Sequence, residues 1–205
     1  MNTQNKACSA TIILYTVILC VLVSSCSISG TTRPAQFYIL DATATADSSK
    51  AKNLQLGVGP ILIPGYIDRP QIVTKTESSE LVYAEYKRWA EPMDEMFTRT
   101  LTLNITIATG SNSVISHPWS SKSNLDSELT AKIIKFENNT NGDALLIVQW
   151  QLLDKNDKNQ ASSIYSEFRA AAKSSSATDR VSALNDTIKQ FSSEILTHIH
   201  STSNK

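Results

Sequence analysis

Leu129-Thr130-Ala131-Lys132-Ile133-Ile134-Lys135-Phe136, Ala144-Leu145-Leu146-Ile147-Val148-Gln149-Trp150-Gln151-Leu152-Leu153 and Ser162-Ser163-Ile164-Tyr165-Ser166-Glu167-Phe168-Arg169 are the three runs whose reading decides the fold. Each is short, apolar and rich in β-branched or aromatic residues, as a strand requires. Between them lie Asn138-Asn139-Thr140-Asn141-Gly142-Asp143 and Asp154-Lys155-Asn156-Asp157-Lys158-Asn159, stretches of turn-forming residues with no apolar surface to bury. Three strands joined by two such loops form an antiparallel meander.

On the C-terminal side the period changes. From about Asp179 to His200, Val181, Leu184, Ile188, Phe191, Ile195 and Ile199 fall at steps of three and four and make one apolar stripe along a helix, with Thr178 or Asp179 as its cap. On the N-terminal side, Pro92 to Thr109 also reads as a helix. Met93, Met96, Phe97, Thr100, Leu101, Asn104 and Ala108 share a face, Pro92 suits the first turn and Gly110 the stop. Further strands are predicted at Phe37–Leu40, Leu54–Ile63 and Val114–Ile115. Ile72–Val73 and Leu81–Tyr86 are predicted to pair as a hairpin. In Leu54–Ile63, Gly57 and Gly59 share a face, which either lies against a helix or another backbone or marks a bulge. The expectation is an α+β fold: a single domain with a mainly antiparallel sheet and two amphipathic helices packed on one face.

The first residues belong to a different kind of segment. An apolar run from Ala10 to Val23, preceded by Lys6, ends in Val23-Ser24-Ser25-Cys26. About fourteen residues suit the core of a secretory signal better than a transmembrane helix. The small pair before a cysteine suits a lipoprotein peptidase, with the Cys26 thiol taking a diacylglyceryl group. An ordinary signal peptide or anchor with an incidental cysteine is the alternative. Residues 1–25 are therefore read as a signal peptide, 26–35 as a flexible linker, 36–200 as the domain and 201–205 as a disordered tail. Ser27, in place of an inner-membrane-retaining aspartate, favours the outer membrane, lipid-anchored on the periplasmic face. Ala42–Lys52 has too little apolar surface to order itself and reads as a mobile loop.

Composition excludes several functions. Cys8 and Cys20 lie in the signal and Cys26 is the acylation site, so the mature chain has no free thiol and no disulfide. Of 19 basic residues only Lys6 is removed, and the remainder nearly balance 19 acidic ones. Such a chain has no field with which to gather nucleic acid. Neither a phosphate-binding glycine loop nor a Gly-x-Ser-x-Gly elbow is present, and the carboxylates are not paired. His198 and His200, two apart on a helix, diverge and make a poor metal site, and His117 stands beside Pro118 and Trp119. No catalytic residue, metal or cofactor is expected. Asn104-Ile105-Thr106, Asn138-Asn139-Thr140 and Asn185-Asp186-Thr187 match glycosylation acceptors, which matter only in a eukaryotic secretory protein.

One region is unusual: Tyr66-Ile67-Asp68-Arg69-Pro70-Gln71-Ile72-Val73, followed by Arg88-Trp89-Ala90-Glu91-Pro92. With Phe37–Leu40 and Leu56-Gly57-Val58-Gly59-Pro60, these blocks resemble the PqiC/YmbA family of auxiliary lipoproteins. Those act in ABC-type intermembrane transport with MCE-domain proteins. The resemblance implies a non-catalytic, outer-membrane-anchored periplasmic subunit of a lipid transport system that supports envelope integrity. It also implies lipidation at Cys26, an MCE-domain periplasmic protein as partner, and contact with the membrane through the anchor. Tyr66, Asp68, Arg69, Arg88 and Trp89 are the candidate partner-binding residues. Against that stands a structural role: a turn at Asp68-Arg69-Pro70 with Arg69 paired to Glu85 or Glu91, and Trp89 as a core aromatic. A pilotin-like assembly or secretion lipoprotein is the functional alternative. Exposed strand edges and the amphipathic C-terminal helix would also permit a homo-oligomer.

Overall fold

Alternation of apolar and polar residues lets a long strand bury one face and leave the other free, and the last third of the chain uses this to build its sheet. The computed structural model describes residues 33–46, 53–119, 125–155 and 162–203. Strands β6 (Ser127–Asn138), β7 (Ala144–Asp154) and β8 (Ile164–Ala170) form the antiparallel meander expected from the sequence. Ahead of them come β1 (Gln36–Tyr38), β2 (Leu56–Leu62), β3 (Gln71–Lys75), β4 (Leu81–Trp89), helix α1 (Met93–Thr109) and β5 (Val114–Ser116). Helix α2 (Ala177–Ser203) ends the fold.

The eight strands make one sheet, and β6 is its organiser. One edge of β6 pairs with β7 along its whole length. Its other edge carries two strands in succession, β2 from Ser127 to Lys132 and then β3 at Asn138, both parallel to it. β3 and β4 form the expected hairpin, and β1 and β5 add parallel strands outside β4 and β2. The sheet is thus mixed rather than purely antiparallel, and its most extensive pairings, β6 with β7 and β7 with β8, are the antiparallel ones. Helix α1 and the long connections provide the crossovers that parallel neighbours require. The register of β2 on β6 shifts between Val58 and Ile61, so Gly59 marks a bulge, while Gly57 keeps its regular pairing with Glu128.

Both helices cover the face that carries Ala131, Ile133, Phe136, Leu146, Val148, Trp150 and Phe168. Phe97 of α1 meets Phe136 edge-on at 5.3 Å between centroids, and Phe191 of α2 packs against Trp150 and Phe168. Phe97 and Phe191 are completely buried. Truncating either to alanine would cost about 3–5 kcal/mol. The Trp150 indole N–H is satisfied by Ser166, whose hydroxyl in turn donates to Glu194 of α2.

Helix ends follow local chemistry. Pro92 precedes the first turn of α1, and Gly110 closes it in the left-handed region with its N–H on the Thr106 carbonyl. α2 begins earlier than the stripe suggests. Its cap is Ser176, not Thr178 or Asp179: the Ser176 hydroxyl oxygen accepts the Asp179 N–H at 3.2 Å. Asp179 instead accepts hydrogen bonds from the hydroxyls of Ser174 and Ser176.

The described start of the low-complexity segment is held by the helices. Asn104 of α1 accepts the N–H groups of Thr43 and Ala44 through one carbonyl oxygen at 3.0 and 2.9 Å, and Asn185 of α2 accepts that of Asp41. The remainder of the predicted mobile loop, residues 47–52, lies outside the described residues.

Candidate functional site

The Asp-Arg-Pro block forms a loop between β2 and β3. The Pro64 carbonyl accepts the N–H groups of Ile67 and Asp68, which tightens the chain into a turn, and Ile67 is buried beneath it. Tyr66 then reaches the end of β6. Its hydroxyl donates to Oε2 of Glu137 at 2.8 Å and accepts the Phe136 N–H at 3.4 Å. Phe136 faces the helices, so by strand alternation Glu137 lies on the opposite face of the sheet. There Glu137 is only 7 % exposed, and Lys75 stands 3.7 Å from its other oxygen. Burial, reinforced by the hydrogen bond to the Glu137 carboxylate, pushes the Tyr66 hydroxyl above the usual tyrosine range. It remains a neutral donor at physiological pH.

Tyr83 of β4 completes the arrangement. Its hydroxyl donates to the Tyr66 carbonyl at 3.4 Å, and the Arg69 guanidinium lies 5.3 Å from its ring centroid. An exposed stack of this kind contributes about 0.5–1 kcal/mol. Arg69 is thus placed on an aromatic ring, while Glu91, one of its expected partners, pairs with Arg99. The loop is joined to β4 by the Trp89 N–H, which donates to the Pro70 carbonyl at 2.7 Å.

Of the five predicted contact residues, Tyr66, Asp68 and Arg69 share this loop, and Arg88 stands opposite Gln71 in the hairpin the loop enters. Asp68 and Arg69 are exposed, Tyr66 and Arg88 half-buried. Trp89 is 7 % exposed and belongs to the core, the packing role weighed for it above. Tyr83 and Glu137, which hold the loop, escaped the sequence reading. Their only signal was position, a tyrosine within a predicted hairpin strand and a lone acid just past the apolar run Leu129–Phe136.

Beyond Glu137 a shallow groove of about 440 Å³ runs past Lys75, Lys135, Asp143 and Arg169. Both acidic and basic groups line it, Glu77, Glu137 and Asp143 with Lys75, Lys135 and Arg169. His198 packs edge-on against Trp150 at 5.5 Å, and His200 bonds the Leu196 carbonyl within the helix. His117 stacks edge-on with Trp119. Among the described residues no group of histidine, cysteine and carboxylates converges to hold a metal ion, and no helix is long and apolar enough to cross a membrane. The three asparagines of the glycosylation motifs are buried and bonded to the fold, so none is open to a glycan. Cys26, the predicted lipidation site, lies outside the described residues.

Known proteins place this architecture. No curated protein matches the chain. Among solved structures, protein XCC0632 from Xanthomonas campestris, of the family DUF330, is 18 % identical, with a TM-score of 0.67 over 83 % of this chain and 100 % of its own. A crystal structure of an uncharacterized protein is also 18 % identical, with a TM-score of 0.66 over 82 % of this chain and 99 % of its own. At that identity the likeness shows a shared fold. The PelC dodecamer from Paraburkholderia phytofirmans is 15 % identical over 78 % of this chain and 95 % of its own, with a TM-score of 0.40. The model of the ABC-type transport auxiliary lipoprotein component family matches residues 38–196, from the last residue of β1 through most of α2. The chain therefore belongs to the ABC-type transport auxiliary lipoprotein components, the PqiC/YmbA-like proteins.

Proposed function

We propose that the protein is a non-catalytic lipoprotein subunit of an ABC/MCE-type intermembrane lipid transport system, anchored through Cys26 to the periplasmic face of the outer membrane. There it tethers an MCE-domain partner and so supports envelope integrity. The observation that carries this reading is the family match across residues 38–196. The lipoprotein motif at Val23–Cys26 would supply the anchor, and a charge-balanced sequence without a Gly-x-Ser-x-Gly motif suits a docking role better than catalysis. On this reading the exposed part of the β2–β3 loop, Asp68 and Arg69 with Arg88 beside it, meets the partner. Tyr66 and Trp89 hold that surface in place from below.

The test is crosslinking in cells, extraction of the full-length protein in mild detergent, and identification of its partners and of the Cys26 peptide mass. Recovery of an MCE-domain protein with acylated Cys26 supports the tether. Recovery of an outer-membrane channel with no MCE protein would replace it with a pilotin-like role in assembly or secretion. Arg69→Ala that keeps full stability yet loses the partner would assign the loop to the interface.

A further inference from the structure

The first strand and the residue just past it carry an exposed apolar pair. Phe37 is 65 % exposed, more than any other large apolar side chain among the described residues, and Ile39 is 43 % exposed. Alternation separates them from their neighbours: Tyr38 packs against the core and Leu40 is buried in it. The pairing of β1 with β4 sets Phe37 opposite Arg88 and Tyr38 opposite buried Trp89. Phe37 and Ile39 therefore point away from the domain on the same side as Arg88, at an outer strand of the sheet.

Chain length says what this face meets. Eleven positions separate Cys26 from Phe37. Even fully extended, a chain of that length spans at most about 40 Å. With Cys26 acylated, as the functional reading above requires, β1 is the element of the domain nearest to the bilayer in the chain. The short tether gives that surface a high effective concentration at the strand. An exposed aromatic with an isoleucine two positions on matches the apolar depth of a lipid surface.

We propose that the outward-facing pair at the start of the domain, Phe37 of β1 and Ile39 just past it, rests in the headgroup layer of the membrane holding the anchor. The acyl chains supply attachment, and this face sets which way the domain points. The inference rests on the lipoprotein reading, since without the tether nothing brings β1 to a bilayer.

The mature chain has no free thiol once Cys26 is acylated, so one introduced cysteine takes a fluorescent label cleanly. Full-length acylated protein carrying Phe37→Cys, Ile39→Cys or Tyr165→Cys would be reconstituted in vesicles of phosphatidylethanolamine with a minority of phosphatidylglycerol. Quenching by spin-labelled lipid would then be measured. Tyr165, 62 % exposed on β8, is the reference. The expected result is several-fold stronger quenching at 37 and 39 than at 165, lost at 39 when Phe37→Asp is added. Equal quenching at 37 and 165 with Cys26 acylated overturns the inference and leaves the lipoprotein reading intact. Contact between labels at 37 on two copies, without lipid quenching, overturns it in favour of a second copy as occupant. An N-terminal peptide without an acyl group overturns both readings together.

Discussion

Tyr66 and Glu137, 71 positions apart, share a hydrogen bond of 2.8 Å that fastens the β2–β3 loop to the end of β6. Because Glu137 is almost fully buried, loss of the Tyr66 hydroxyl leaves a carboxylate with Lys75 as its remaining charged neighbour. Tyr66→Phe is expected to destabilise the domain by about 1–3 kcal/mol. Glu137→Gln added to it should cost less than the two single changes summed. Urea denaturation of the two single variants and the double variant measures this coupling, and strict additivity would refute it.

Arg180, half-buried, is predicted to be an important cation for stability. Its guanidinium donates to the carbonyls of Asn139 at 2.6 Å, Thr140 at 2.7 Å and Ser175 at 2.9 Å, joining the first turn of α2 to the β6–β7 loop. Arg180→Ala should cost about 1.5–3 kcal/mol. Arg180→Lys should recover less than half of that, because an ammonium cannot reproduce the planar fork. Thermal unfolding of the pair distinguishes this from simple loss of charge, for which lysine would rescue fully.

Two glycines with positive φ should respond differently to alanine. Gly110 at φ 66° has open space around it, so Gly110→Ala should cost about 1–2 kcal/mol for the left-handed backbone alone. Gly142 sits at φ 103°, where an added Cβ would lie 2.9 Å from the Ser174 carbonyl oxygen. Gly142→Ala should exceed the Gly110 cost by about 1–3 kcal/mol. Equal denaturation midpoints would contradict the packing described.

The start of α2 predicts a pH response. Hydrogen bonds from Ser174, then Ser176, hold the Asp179 carboxyl below its ordinary value of 3.8. A carboxyl lowered in the folded state stabilises above its unfolded pKa, and that contribution disappears as pH falls through the lower folded value. Ser174→Ala with Ser176→Ala should return the Asp179 titration toward its ordinary value, followed by NMR of the carboxyl carbon. The same pair should flatten the loss of stability below pH ~4. An unchanged titration would contradict the role assigned to the two serines.

Much of this fold was legible where composition and period agree. The meander loops, the Pro92 start and the Gly110 stop were visible because each depends on local backbone chemistry. Helix α1 is instructive, since Thr100-Leu101-Thr102-Leu103-Asn104-Ile105 has the period of a strand. Its threonines can be buried in a helix because the hydroxyls of Thr98, Thr102 and Thr109 donate to carbonyls four residues earlier. Parallel pairing of β2 and β3 with β6 was not legible, because alternation shows which face a strand buries but not its neighbour or direction. Arg180, Asn104 and Asn185 escaped for a related reason. Asn104 already stood on the apolar face of α1, but the partners of all three are mainly backbone groups far away in the chain, which the helical period does not show. In the candidate site, the loop residues were visible as a block, whereas Glu137 and Tyr83 acquire their roles only through tertiary placement.

The double occupancy of one edge of β6 has a consequence for how the chain acquires its structure. β2 finds its partner about 70 residues downstream, and neither β2 nor β3 can join the sheet until β6 exists. Pairings of such long sequence separation pay their loop-closure entropy first and make assembly slow. The local β6–β7–β8 meander is the natural seed, onto which the N-terminal strands add last. Chains truncated before Ser127 should therefore never reach a native state, and would instead present the open edges of β2 and β3 to one another.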